Sequence, residues 1–315
     1  MSAKRRLREH WRSRVPSTLL YTPGSEPAKI AKLPGFGSEA AILDLEDAVA
    51  VEQKPAARST VRDGLAGLPE SMLRLVRVNN LSTSWTADDL EGVVCPSLDG
   101  IVYPKAETAD ELWEVDELLG RAERANGLEP GGIVLIALIE TALGLTRIDR
   151  ILERVPDRLL TVGFGLGDFS VDMGLELGDY THQLDYPRAR IAVAARASGL
   201  APAIDGPWLE LKDLEGLARD SRRSRGFGFA GRQLIYPPHV SVAASEYAGV
   251  DEQLIGYYQR VVTGFEAALA EKKGAVQIDG GLVDYPIYRR ALQVLDAAGR
   301  MPKTNTHPAS TKETS

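Results

Sequence analysis

Short, almost unbroken apolar runs alternate with longer segments whose apolar residues recur every three or four positions, and the rhythm continues to about residue 240. The runs predict eight strands, at residues 18–21, 41–45, 73–78, 100–103, 133–139, 159–164, 202–204 and 233–236. Continuous rather than alternating apolar character is expected of parallel strands covered on both faces. Segments such as 109–126 and 188–198 have the periodicity of the intervening helices. Strand followed by helix, repeated eight times, predicts an α/β fold, the (β/α)8 TIM barrel. A doubly wound sheet competes, and the count of eight favours closure.

The pattern then changes. A helix is predicted over 250–273, starting near Asp251 and ending before Gly274, then a small hairpin over 274–281. Asp279-Gly280-Gly281 supplies the positive φ such a turn needs. A last helix over 286–298 stops at Gly299. The chain therefore divides into a basic arm (1–16), the barrel (17–244), a C-terminal extension (245–300) and a disordered tail (301–315) rich in Lys, Thr, Ser and Pro. The extension lies outside the barrel count and is expected to act as a lid or as an arm exchanged between subunits.

The apolar runs end in charge. Ala41-Ile42-Leu43-Asp44-Leu45-Glu46-Asp47, the run from Ile133 to Glu140, and the run from Leu160 to Asp168 all finish in carboxylates. Leu73-Arg74-Leu75-Val76-Arg77-Val78-Asn79 delivers a cation. In one parallel barrel such tips open on one mouth, where active sites are built. Hard carboxylate oxygens beside an arginine suit Mg²⁺ and an anionic substrate.

Composition narrows the partners. The chain has 315 residues, 44% apolar and 26% charged, enough for a large core. A net charge of −7 argues against a nucleic-acid binder. The exception is the N-terminus, where Lys4, Arg5, Arg6, Arg8, Arg12 and Arg14 face only Glu9; no apolar region follows, so a mobile or helical arm is expected rather than a targeting signal. The longest apolar run, 133–139, is far too short to cross a bilayer. The single cysteine, Cys95, excludes an internal disulfide and a cysteine metal cage and fits a reducing, cytoplasmic setting.

Several weaker signals lack context. Gly226-Phe227-Gly228-Phe229-Ala230-Gly231 matches the dinucleotide pattern but precedes a strand, whereas that fingerprint follows a strand and opens a helix. His10, His182, His239 and His307 are scattered, with no zinc spacing. Lys105 follows a strand tip, where a Schiff-base lysine sits in some barrels, although neighbouring charges favour an anion contact.

Together the segments resemble the citrate lyase β-subunit-like branch of the HpcH/HpaI aldolase superfamily. The matching text spans about 17–295: Leu20-Tyr21-Thr22-Pro23-Gly24-Ser25, Asp44-Leu45-Glu46-Asp47-Ala48-Val49, Arg77-Val78-Asn79, Pro104-Lys105, Ile139-Glu140-Thr141, Gly167-Asp168-Phe169, Ala203-Ile204-Asp205-Gly206, and 278–286 around Asp284. The resemblance implies a Mg²⁺-dependent (Mn²⁺ as substitute) lyase or synthase of short β-hydroxyacyl thioesters, malyl-, citramalyl- or citryl-like. Its partners are a 2-keto acid and an acyl-CoA, or a thioester on a carrier protein. It implies Glu140 and Asp168 as metal ligands, and Gly167 beside Asp168 at the substrate. Arg77 stabilises the alkoxide, and Asp44, Glu46 and Asp47 hold metal-bound waters and orient Arg77. Asp47 is equally well explained as a helix cap. Asp284 is implied as the acid/base at the thioester α-carbon, supplied by the neighbouring subunit of a homotrimer or hexamer; its alternative is a helix cap two residues before Pro286.

For coenzyme A, Tyr21, Pro23, Gly24, Lys29, Lys105 and Tyr236 are the expected contacts. Two departures stand there: Pro16 replaces the arginine many members carry before Ser17, and Tyr236-Pro237-Pro238 replaces their His-Pro. These departures motivate a thioester-independent class II aldolase acting on pyruvate and an aldehyde. A non-catalytic subunit of a lyase complex is the remaining alternative.

Overall fold

In the computed structural model the described residues are 11, 14–175, 180–248 and 252–301. Eight parallel strands close into a barrel, each paired with the next and β1 with β8. They are β1 (Thr18–Pro23), β2 (Ala40–Asp44), β3 (Leu73–Arg77), β4 (Gly100–Tyr103), β5 (Val134–Ile139), β6 (Leu159–Phe164), β7 (Ile204–Asp205) and β8 (Gly231–Leu234). The fold is the (β/α)8 TIM barrel. Outside it run α1 (Lys54–Gly67), α2 (Thr86–Val93), α3 (Ala109–Ala125), α4 (Ala142–Glu153), α5 (Leu166–Asp172), α6 (Asp185–Ala197), α7 (Leu214–Phe227) and α8 (His239–Ala248).

Two regions depart from the expected pattern. The first crossover carries no long helix, only the turns Pro27–Ile30 and Leu33–Phe36, because prolines and glycines crowd residues 23–37. At the other end β8 begins two residues early. Its Arg232 and Gln233 are buried polar residues, which hid the start of the strand from an apolar pattern. Gly231 is required there, since a Cβ would meet the Pro16 carbonyl oxygen at 2.2 Å. Gly228, at φ 101°, caps α7 in the left-handed region. The glycine motif is thus a helix stop and a close strand contact.

Strand parity sorts the core. Leu19, Ile42, Leu75, Val102, Ile136, Leu138 and Ile204 share the inner cluster, and Trp11 and Val15 join it. Leu20, Leu43, Val76, Ile101, Leu135 and Val162 belong to the outer cluster with Val61, Leu90, Leu112, Ile148 and Ile191 of the helices. Each such aliphatic burial contributes roughly 1.5–3 kcal/mol. Of the basic arm, residues 1–10, 12 and 13 lie outside the described residues, and Arg14 pairs with Glu39 at 3.0 Å.

The chain divides into two compact units after Ala248. The second contains α9 (Glu252–Ala270), the antiparallel pair β9 (Val276–Ile278) and β10 (Gly281–Val283), and α10 (Tyr285–Ala297). Its own core is built on Ile255, Val261, Val262, Phe265, Val283, Ala291 and Leu295. Asp279 and Gly280 have φ of 50° and 82°, the consecutive positive values of a tight hairpin turn. Apart from Met301, the tail lies outside the described residues. Among the described residues no helix is long and apolar enough to cross a membrane.

Candidate active site

The same parity that fills the barrel interior aims charge at its mouth. Ala40, Ile42 and Asp44 share one face of β2, as Leu73, Leu75 and Arg77 do on β3, and Asp44 is the register partner of Arg77. Arg77 grips Asp44 with two parallel bonds, Nε to Oδ1 and Nη2 to Oδ2, both 2.7 Å. Asp44 also accepts the backbone N–H of Glu46 (3.0 Å) and Ala48 (3.1 Å), so one carboxylate orients the arginine and folds the loop after β2. Glu46 Oε2 lies 2.8 Å from Arg77 Nη1, an ion pair without hydrogen-bond alignment, while its Oε1 accepts Lys105 Nζ at 2.5 Å. The guanidinium stacks 5.0 Å from the Tyr21 ring. Tyr21 Oη donates to Gln233 Oε1 (2.9 Å), and Gln233 Nε2 donates to the Phe164 carbonyl (3.0 Å).

Glu140 sits between β5 and α4. Thr141 caps α4 by accepting the Gly144 N–H at 3.0 Å, which separates strand from helix and leaves Glu140 at the tip. It is 2% exposed, and burial, reinforced by Glu46 and Asp168, pushes its carboxyl up to about 8 despite Arg77 and Lys105. Its Oε1 accepts the Lys105 backbone N–H at 2.7 Å. Oε2 abuts Gly165, where an added Cβ would lie 2.0 Å away. Lys105 makes that backbone contact by adopting φ 51°, unusual outside glycine. Its ammonium is 3.8 Å from Asp168 Oδ2. Burial alone would lower that ammonium, but Glu46, Glu140 and Asp168 outweigh it and hold it above its ordinary value. A persistently charged lysine is an ion-pair partner rather than a Schiff-base nucleophile.

These tips enclose a pocket of about 410 Å³, lined by Tyr21, Pro23, Asp44, Asp47, Arg77, Glu140, Gly167 and Asp168, with Leu138, Leu166, Pro207 and Ile235 as apolar wall. Asp47 is a lining residue and not a cap, since the next helical turns begin from Ala50 and Gln53. Gly24 is buried beneath the rim, where its missing Cβ lets the Asp44 carbonyl approach. Lys29 is exposed and pairs with Glu26 at 3.9 Å, and Tyr236 packs edge-on to His239; neither lines the pocket. Asp284 belongs to the second unit, where it caps α10 by accepting the Ile287 N–H at 3.4 Å.

Among the described residues no group of three or more His, Cys, Asp or Glu is arranged to hold a metal. Glu140 and Asp168 are a pair. Two carboxylates, one of them almost fully buried and held above its ordinary pKa by that burial, fit a divalent ion that leaves positions for substrate oxygens and water.

The family model for HpcH/HpaI aldolase/citrate lyase matches residues 17–237. The chain belongs to the HpcH/HpaI aldolase/citrate lyase family. Like other members it is an enzyme of the aldolase and lyase type. The chain is 32% identical to citrate lyase subunit beta of Escherichia coli over 91% of its own length and 94% of that protein's. It is 31% identical to human mitochondrial citramalyl-CoA lyase over 89% and 84%. The crystal structure of CitE from Mycobacterium tuberculosis in complex with magnesium, acetoacetate and coenzyme A superposes with a TM-score of 0.74 at 29% identity, covering 91% of this chain and 99% of that one.

Sequence reasoning missed three polar residues behind the site. Gln233 looked like the polar edge of a strand, yet it orients Tyr21. Lys54 and Asn79 meet from positions far apart in sequence, at 2.8 Å. Only the polar character of Asn79 directly after the Arg77 run was visible beforehand.

Proposed function

We propose that this enzyme forms or breaks the bond between the α-carbon of a short acyl-CoA and the carbonyl carbon of a 2-keto acid, with Mg²⁺. The observation that carries the reading is Arg77, fixed between Asp44 and Glu46 at the mouth of the pocket that Glu140 and Asp168 also line. Glu140 and Asp168 would hold the ion, leaving positions for substrate oxygens. Mg²⁺, when bound, supplies Lewis acidity toward that carbonyl. In the synthetic direction Asp284 removes the α-proton of the thioester, the α-carbon attacks the keto carbon, and Arg77 stabilises the alkoxide that develops. The alkoxide takes a proton from solvent; in the cleavage direction the hydroxyl gives that proton up, the carbon–carbon bond breaks to restore the keto carbonyl, and Asp284 returns a proton to the departing carbon. Asp44 and Glu46 act by holding the guanidinium in place, and Asp47, which lines the pocket, would hold water beside the ion. The relatives named citrate lyase subunit beta and citramalyl-CoA lyase, and the magnesium, acetoacetate and coenzyme A in the CitE complex, support this chemistry.

Coenzyme A is longer than a pocket of about 410 Å³ encloses. In this reading Tyr21, Pro23 and Lys105 serve the thioester end, and the outlying Lys29 and Tyr236 serve the nucleotide end. Asp284 comes from a neighbouring copy in a homotrimer or hexamer, in the cytoplasm.

A mass-spectrometric screen tests the proposal. Protein with Mg²⁺ receives acetyl- or propionyl-CoA against glyoxylate, pyruvate and oxaloacetate, with Glu140→Ala as control. A β-hydroxyacyl-CoA, or its free acid, that disappears in the variant is expected. No product with any pair would sink the thioester reading and leave the pyruvate–aldehyde aldolase to be tested by Mg²⁺-dependent methyl-proton exchange of pyruvate.

A further inference from the structure

Behind the mouth lies a buried lysine that the proposed chemistry does not use. Lys54 opens α1, and its side chain turns inward to become 6% exposed. Its ammonium donates to the Leu45 carbonyl (2.7 Å), the Glu46 carbonyl (2.7 Å) and Asn79 Oδ1 (2.8 Å), so all three N–H bonds are used. The first two acceptors belong to the loop directly after β2. Asn79 is two residues past Arg77, and its Nδ2 donates to the Leu45 carbonyl (3.0 Å) and to Asp89 Oδ2 (2.6 Å). One turn along α1, Arg58 Nε completes the chain on Asp89 Oδ1 at 2.8 Å. The loop bearing Glu46 is therefore pinned from two sides, by the Asp44 carboxylate on its N–H groups and by the Lys54 ammonium on its carbonyls.

We propose that Lys54 is a positioning residue for the reaction: by holding the Leu45 and Glu46 carbonyls against Asn79, it sets the Glu46 carboxylate between Arg77 and Lys105. The inference rests on the role given to Arg77 above. Without the ammonium, two backbone carbonyls and one side-chain oxygen lose their buried partner, and the loop relaxes toward water. Glu46 moves with its own carbonyl. Arg77 keeps its ladder-fixed contact with Asp44 and loses the constraint on Nη1. A misplacement of about 1 Å at a positioned group costs about a hundredfold in rate. Lys105 stays anchored through its backbone N–H on Glu140 and its ammonium beside Asp168, so ground-state binding of the thioester stays as it is.

Lys54→Met, close in length and without the charge, is compared with the full-length wild type and with Lys54→Arg. Values of kcat and KM are taken per folded molecule, and the Arg77 Nη1–H resonance, which reports the contact with Glu46, is followed in ligand-free protein, assigned by its loss in Arg77→Lys. We expect kcat of Lys54→Met to fall about a hundredfold with KM for acyl-CoA within about threefold, and the Arg77 resonance to move. Lys54→Arg, which keeps the charge but not the three-donor head, should lie between, about tenfold down. A kcat within threefold of wild type, or an unmoved Arg77 resonance, overturns the proposal, because a merely structural lysine lowers stability and leaves both unchanged. Should Lys54→Met fail to fold, Lys54→Arg decides by the same two readings. Should the wild type show no lyase activity, the functional reading fails, and the resonance alone still decides whether Lys54 positions Arg77.

Discussion

Glu140 owes its position to a glycine. Its Oε2 occupies the space a side chain at residue 165 would take, 2.0 Å from an ideal Cβ, and the backbone there begins α5, which carries Asp168. Gly165→Ala should therefore displace the carboxylate or the helix start and lower Mg²⁺ affinity at least tenfold, the scale seen when groups orienting a ligand are altered. Calorimetric titration with Mg²⁺ measures it, and unchanged affinity would show that Glu140 is free to shift. The charged tips were legible because strand parity and a barrel mouth are both readable from sequence: Asp44 follows Ile42, and Arg77 follows Leu75. Gln233 and Lys54 were not, because each acts on a residue remote in the chain, Tyr21 in one case and Asn79 in the other. No local pattern encodes such a meeting.

At the level of elements, β7, β8, α6 and α7 are joined by a buried quartet of two arginines and two aspartates. Arg188 holds Asp220 with bonds of 2.8 and 2.7 Å, and Arg232 Nη2 donates to Asp205 at 2.7 Å, with none of the four more than 2% exposed. The group is neutral only when complete. Arg188→Met leaves two buried carboxylates against one arginine, and about 3–5 kcal/mol of stability should be lost in denaturant unfolding. A loss under about 1 kcal/mol would mean that water reaches the quartet. Near it His239 opens α8, and its Nε2–H donates to the Leu211 carbonyl at 2.9 Å. Burial, helped by the Arg232 charge, holds the imidazole below its ordinary value. The unfolded chain then binds the proton more readily, so the stability contribution is complete above the ordinary histidine pKa of about 6.5 and is lost as pH falls through the lower folded value. Guanidinium midpoints should drop between pH 7.5 and 5.5, and His239→Gln should reduce the drop; equal drops in both proteins would assign the slope to other groups. Elements were legible where chemistry is local, as in the Asp279-Gly280 turn. They were not where polar pairing replaces apolar pattern, which is why β8 was expected two residues late, at Gln233 instead of Gly231.

At the scale of the whole molecule, the second unit carries the acid/base of the proposed reaction, Asp284. The unit that follows Ala248 has a core of its own, in which Phe265 and Val283 are buried, because its helices and hairpin lie outside the βα alternation. Asp284 caps α10, and a cap alone would account for an aspartate there. Asp284→Asn separates the two roles, since asparagine caps as well as aspartate but cannot exchange a proton at the thioester α-carbon. Stability should be retained while kcat falls about 10²- to 10⁴-fold; wild-type turnover would leave Asp284 as a cap only. The variant also tests whether the acid comes from a neighbour. Arg77→Lys spoils the barrel and spares the cap, so neither variant is active alone. Co-assembled in equal amounts, they should regain about a quarter of wild-type activity, the chance that an intact barrel meets an intact Asp284 when subunits assort at random in a closed ring. Recovery requires that one chain's barrel work with another chain's aspartate. Activity no higher than the variants' own would place Asp284 and Arg77 in the same chain and remove the need for an oligomer in the chemistry.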